Sequence, residues 1–298
     1  MKEKPLYSPF HDARNDAEAS RKCGTSPQTS SPSYLLSYAD DEFMMLDELR
    51  PVRLQLELLK PELLQREHGI DATVVVFGGA RVASPEMAAK GLQDAMDRAE
   101  RDPENPQLQA AVARAKRVAA KSHYYEEARK LGRLLSGICH CQTGCSLFVM
   151  TGGGPGIMEA ANRGAHEIGA KSIGLNIVLP HEQMPNTYIT PELCFQFHYF
   201  SIRKMQFLMR AQALVVFPGG YGTLDELFET LTLIQTKKIK PLPVLLFGRD
   251  FWEKLINFDF FIEEGVIGPD DLKLFQYVET AEEATKIIAD HFQTREGR

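Results

Sequence analysis

The sequence predicts an α/β protein, a doubly wound parallel sheet with helices on both faces. Three observations point there. Short apolar runs such as Val74-Val75-Val76-Phe77 and Ala213-Leu214-Val215-Val216-Phe217 are continuous rather than alternating, as in strands buried on both sides. Stretches of helical periodicity separate these runs, which implies parallel pairing through right-handed crossovers. Three glycine-rich turns directly follow strand-like runs: Gly78-Gly79, Gly152 to Gly156, and Gly219 to Gly222.

Taken in chain order, residues 1–40 are rich in Ser, Pro, Asp, Asn and Arg, without periodicity, and read as a flexible tail. Residues 41–70 read as a helical extension, with helical spacing through Met44, Leu46, Leu49, Leu54, Leu58, Leu63 and Leu64. Pro51 and Pro61 are expected to start or kink separate helices there. Residues 71–298 are expected to form the Rossmann-like domain, beginning with a strand at Thr73–Phe77. Helices are predicted over 85–101 and 106–136, divided by Asp102-Pro103-Glu104-Asn105-Pro106. Later strands are predicted at Leu147–Met150, Ser172–Asn176, Cys194–His198, Ala213–Phe217 and Pro243–Phe247. Helices fall between them near 157–168, 201–211, 224–236 and 250–264, and Glu282–Phe292 is the last. No repeat of 20–50 residues is visible.

The chain has 298 residues, 44% hydrophobic and 25% charged, with a net charge of −6. That composition is ordinary for a globular protein, and the acidic balance argues against general nucleic-acid binding. No apolar run reaches the ~18 residues of a membrane span. Met1 to Pro5 lack a signal-peptide core, so a cytoplasmic address is expected. Of five cysteines, Cys139, Cys141 and Cys145 cluster with His140. Thiolates and imidazole are zinc ligands, but the spacing is not that of a standard finger. Free thiols are the preferred reading, and no metal is expected.

The glycine turns carry the chemistry. A glycine-rich turn between a strand and a helix lets backbone N–H groups and the helix N-terminus approach an anion. In open α/β sheets, ligands bind at that carboxyl edge. None of the three matches G-x-x-x-x-G-K-[ST] or a well-placed G-x-G-x-x-G, which leaves a nucleotide or sugar-phosphate site. In Pro218 to Glu226 the phosphate contacts are assigned to the N–H groups of Gly219, Gly220, Gly222 and Thr223. Gly153, Gly154 and Gly156 form a second cradle. Thr223-x-x-Glu226 also fits a capping box, with Thr223 as N-cap. Glu226 therefore has two readings at this point, a helix cap or a group contacting the sugar. Glu159 likewise is either a ribose contact or a first-turn glutamate favoured by the helix dipole.

Four segments together resemble the Lonely Guy (LOG) family: Phe77 to Arg81, Thr151 to Ala160, Arg203-Lys204, and the complete P-G-G-x-G-T-x-x-E at Pro218 to Glu226. Members are cytokinin riboside 5′-monophosphate phosphoribohydrolases and related AMP nucleosidases, often labelled lysine decarboxylase-like. The resemblance covers roughly Asp71 to His291; residues 1–70 and about 100–125 lie outside its compact pattern. It implies hydrolysis of the N-glycosidic bond of AMP or an N6-modified AMP, with Arg203 and Glu226 catalytic and no cofactor. It further implies that Arg81, Met158 and the segment Leu179 to Asn186 line the base side, that Gly79, Glu159, Lys204 and Pro218 complete the substrate site, and that the chain is a homodimer or higher homo-oligomer. A non-catalytic nucleotide-binding regulator is the alternative. Lysine decarboxylation would need a Schiff-base lysine for pyridoxal phosphate, and none stands out.

Overall fold

The computed structural model describes residues 12–138, 146–180 and 184–294. It divides into two units, residues 1–63 and 64–298. In the first unit, helix α1 (Ala13–Ser20) lies within the segment read as a flexible tail. Asp12 caps it, accepting from the Arg14 N–H at 2.9 Å. The Tyr38 hydroxyl donates to the Ala13 carbonyl at 3.0 Å. Helix α2 (Asp41–Met44) follows, and Arg53 donates to the Met44 and Leu46 carbonyls at 2.8 and 2.6 Å. Pro51 starts a helix as expected, α3 (Arg50–Glu67), but Pro61 lies inside it and does not begin a separate one. Pro51 lies in the first turn, where its missing N–H costs nothing; Pro61 removes one bond and leaves its neighbours in place.

The second unit alternates strand and helix. It contains β1 (Ala72–Phe77), α4 (Pro85–Arg101), α5 (Pro106–Ala120), α6 (His123–Ser136), β2 (Leu147–Thr151), α7 (Ile157–Glu167), β3 (Ser172–Ile177) and β4 (Cys194–Phe197). Then come α8 (Phe200–Leu208), β5 (Ala211–Val216), α9 (Tyr221–Gln235), β6 (Val244–Phe247), α10 (Arg249–Leu255), α11 (Phe258–Glu263), β7 (Gln276–Val278) and α12 (Ala281–Thr294). All strand pairs are parallel, in the order β4-β3-β2-β1-β5-β6-β7.

Three departures from the sequence reading have local causes. The helix expected over 106–136 is two helices that meet at Lys121-Ser122, with no glycine or proline to mark the turn. The helix expected over 250–264 also splits, where Asn257 caps α11 by accepting from Phe260 N–H at 3.1 Å. Strand β7 was not expected, since three residues are too few to show a pattern. The cysteines at 139, 141 and 145 lie outside the described residues. Among the described residues, no helix is long and apolar enough to cross a membrane.

The sheet separates two apolar layers. Val74 and Val76 of β1 face a core built with Leu131 and Leu135 of α6, Ala160 and Ala161 of α7, and Ile288 of α12. Val75 and Phe77 face the other, with Phe207 of α8, Leu227 and Leu231 of α9 and Trp252 of α10. The period-2 alternation of a strand thus commits successive residues of one buried run to opposite layers. Helices α6 and α7 approach until backbones touch. A Cβ on Gly132 would run into the Ala161 carbonyl, and one on Gly164 into the Arg129 carbonyl. Gly132→Ala is expected to destabilise the fold by about 3 kcal/mol. Gly91→Ala in α4, where a methyl group meets nothing within 4 Å, should stabilise it by about 0.5–1 kcal/mol. Urea unfolding of the two variants checks both signs.

Candidate active site

The chain lays β2, β3 and β4 to one side of β1, then crosses to the other side to form β5. The carboxyl ends of β1 and β5 therefore bound the switch-point crevice of the sheet. The glycine turns meet at this edge. Gly79 N–H donates to the Pro218 carbonyl at 2.9 Å, and Ile157 N–H to the Gly79 carbonyl at 3.3 Å. Gly156, at φ 74°, has no room for a Cβ, which would strike that same Gly79 carbonyl. Gly79, Gly156, Pro218 and Gly219, named separately from the sequence, thus form one packed unit.

The capping-box reading of Thr223 and Glu226 is corrected by the structure. Gly220 is the N-cap of α9 and has no side chain to cap with. Its extended backbone turns the chain into the helix three residues earlier than the threonine suggests, drawing Tyr221 and Gly222 into the first turn. Thr223 is then the third helical residue, with its side chain packed on Gly219, where a Cβ would overlap it. Glu226 falls in the second turn rather than the first. The first N–H groups of α9 have no acceptor within the helix and stand at its positive end. Thr223 and Glu226 lie three residues apart on one face. From Tyr221 to Glu226 the helix rises about 7.5 Å, comparable to the length of a ribose 5-phosphate.

Arg203 and Glu226 meet behind this turn. Arg203 is the fourth residue of α8 and is buried, 8% exposed. Its Nε donates to the Leu175 carbonyl of β3 at 2.8 Å, and its guanidinium lies 5.1 Å from the Phe207 ring centroid. Its Nη1 reaches Glu226 Oε1 at 3.5 Å, a loose pair by hydrogen-bond standards. Burial pushes the Glu226 carboxyl up to about 7, against the pull of Arg203. Burial likewise lowers Arg203, against the support of Glu226. Gly152 is wedged between Arg203 and α7: a Cβ there would sit 2.8 Å from Arg203 Nη2 and 2.9 Å from Met158 Sδ. Met158 thereby lies close to Arg203.

The other expected site residues divide. The Gly153–Gly154 loop is held by Thr151 and Asn186. Thr151 Oγ1 accepts from Gly153 N–H at 3.0 Å and donates to Asn162 Oδ1 at 2.7 Å. Asn186 Nδ2 donates to the Gly153 and Gly154 carbonyls, both at 3.1 Å. Asn186, expected on the base side, thus braces the loop. His181, Glu182 and Gln183 lie outside the described residues. Glu159 turns from the pair toward α6, where the Tyr125 hydroxyl donates to its Oε1 at 2.7 Å. Lys204 pairs with Asp225 at 3.1 Å and Glu229 at 3.3 Å. Its burial would lower the ammonium's pKa, but these bonds more than offset it and hold the group protonated. Lys204 thus ties α8 to α9. Arg81 is exposed and lines a cleft of about 650 Å³ with Gly79, Pro218, Gly219, Gly220 and Tyr221. Among the described residues no group of three or more His, Cys, Asp or Glu side chains could hold a metal ion.

Residues 158–288 match a family model described as "Possible lysine decarboxylase". The chain is 30% identical over 153 residues to the Arabidopsis thaliana cytokinin riboside 5′-monophosphate phosphoribohydrolase LOG1, covering 50% of this chain and 70% of that protein. It belongs to the LOG family. Other LOG proteins agree: Arabidopsis LOG3 is 30% identical over 48% of this chain and 67% of its own length. Oryza sativa LOG is 33% identical over 55% of this chain and 65% of its own length. The solved structure of a Moco carrier protein from Chlamydomonas reinhardtii has a TM-score of 0.40 at 18% identity, covering 75% of this chain and 99% of that one.

The raised Glu226 carboxyl has a consequence for stability. The native state keeps this proton up to about pH 7, whereas the unfolded chain releases it near 4.5. Between those values the native state binds more protons, so this group's contribution to stability falls as pH rises. Glu226→Gln removes that dependence. Its stability relative to wild type should therefore improve from pH 5 to pH 8, measured as a pH series of denaturation midpoints. A difference independent of pH would contradict the shift.

Proposed function

We propose that this LOG protein hydrolyses the N-glycosidic bond of nucleoside 5′-monophosphates, AMP or N6-modified AMP, to free base and ribose 5-phosphate. The observation that carries this reading is the buried Arg203–Glu226 pair one and a half turns below the exposed N-terminus of α9. The 5′-phosphate lies on the N–H groups of Gly220, Gly222 and Thr223, in the field of the helix dipole. The ribose then extends along α9 toward Glu226, and the base toward Met158.

The reaction needs water activated at C1′ and positive charge on the sugar stabilised. Water attacks C1′ and passes a proton to Glu226. The C1′–N bond breaks, and the base leaves with the bonding pair and takes up a proton. A carboxyl held near 7 suits a general base at neutral pH, and its anionic form opposes the charge developing on the ribose. Arg203, fixed by Leu175 and Phe207, orients the carboxylate. The named activities of the LOG relatives, cytokinin riboside 5′-monophosphate phosphoribohydrolases, support the same bond and substrate class. The decarboxylase description finds less support: a Schiff-base lysine must lose its proton, and Lys204 is held protonated by two carboxylates.

Chromatographic assay of the purified chain with AMP, CMP, GMP, UMP, IMP and isopentenyladenosine monophosphate should show base and ribose 5-phosphate. Glu226→Gln should lower the rate about 10²–10⁴-fold with AMP still bound. The rate should rise with pH through about 7 as Glu226 ionises. No release from any nucleotide, with AMP bound, would instead establish a non-catalytic binder.

A further inference from the structure

The cleft beside the glycine turn is lined by more cations than one phosphate requires. Arg81 comes from the turn after β1; Arg114 and Arg117 come from α5, and Lys121 from the residue after it. On a helix, positions 114, 117 and 121 share one face. No carboxylate lines the cleft, although acidic residues outnumber basic ones in the whole chain, 40 to 34. Among the described residues, Arg81, Arg114 and Arg117 make no ion pair, while Lys121 lies 5.8 Å from the Phe251 ring centroid. Helix α5 falls in the stretch that lies outside the LOG pattern.

A solvated helix face would account for α5 alone, and cations near a helix C-terminus favour its dipole. It does not account for a cation from a second element converging on the same cleft. Nor does it explain why Gly219 and Gly220, at the start of α9, form part of the wall. Val82, Val118 and Phe251 supply the apolar part of that wall, which strengthens any charge interaction there. The cleft's volume of about 650 Å³ also exceeds what a single phosphate fills.

We propose that Arg114, Arg117 and Lys121 form a second phosphate subsite, so that the chain binds nucleoside 5′-diphosphates more tightly than 5′-monophosphates. The inference rests on the reading that the 5′-phosphate occupies the Gly219–Gly220 turn. From there, the β-phosphate is the group that enters the cationic cleft.

Calorimetric titration of the full-length Glu226→Gln protein with AMP and ADP, at low and at moderate salt, tests it. Three exposed contacts, each contributing about two- to threefold, should give ADP an advantage of about tenfold. Added salt should shrink it. The triple variant Arg114→Gln/Arg117→Gln/Lys121→Gln in the same background, its fold checked by circular dichroism, should bring ADP to the affinity of AMP and leave AMP within about twofold. Equal affinities in the parent, an ADP advantage that survives the triple variant, or equal losses for both nucleotides would each overturn the proposal. Inorganic pyrophosphate separates it from the reading beneath. Pyrophosphate bound in a manner lost in the triple variant, by a protein that ignores AMP, would sink the monophosphate reading and keep the subsite. A protein that binds neither sinks both.

Discussion

Burial of Arg203 beside Glu226 is the constraint on which the site depends. A desolvated charge pair is costly, and at 3.5 Å it gains little from hydrogen bonding beyond its Coulomb attraction. The structure offsets it with the Leu175 carbonyl on Nε and the Phe207 face beneath the guanidinium. The carboxylate accepts the remaining penalty by holding its proton more tightly. Elements from three parts of the chain meet there: β3 supplies the carbonyl, α8 the cation and α9 the anion. The switch in strand order that opens the crevice also brings these elements together.

The sheet was legible because buried parallel strands show as largely apolar runs: β1, β2, β5 and β6 read that way, and β3 and β4 were placed despite Asn176 and Gln196. The seventh, β7, is three residues with an exposed glutamine at its start, too short for any pattern. The break between α5 and α6 was hidden because Ala119 to Ser122 contains no glycine or proline, and Ser122, the N-cap of α6, was the only mark of it. The glycine turns were legible as turns, and their convergence followed from the fold. What each glycine contacts could not be read: Gly156 is glycine because of Gly79, and Gly153 because of Asn176, pairs far apart in sequence.

Glu226 shows how a local signal can mislead. Thr-x-x-Glu is a capping pattern, but the tendency of glycine to begin a helix outweighed it. Moving the start of α9 to Tyr221 carries the carboxylate from the first turn into the second, away from the backbone N–H groups and toward Arg203. Tyr125 was missed, and Asn186 expected in another role, for a different reason. Each acts through hydrogen bonds to residues more than 30 positions away, and such bonds leave no periodicity or spacing in the sequence.

The interlocking of the turns limits how this site can change. Gly79 touches Pro218 on one side and Ile157 on the other, and Gly156 closes on Gly79. A side chain added to one turn displaces the next, so the three behave as one part. New specificity must then come from elements that border the turns without packing into them. Helix α5 is such an element: its surface positions border the Gly219–Gly220 turn and can exchange residues without disturbing the strands. A fixed centre with an interchangeable margin is how one scaffold can take on different ligands.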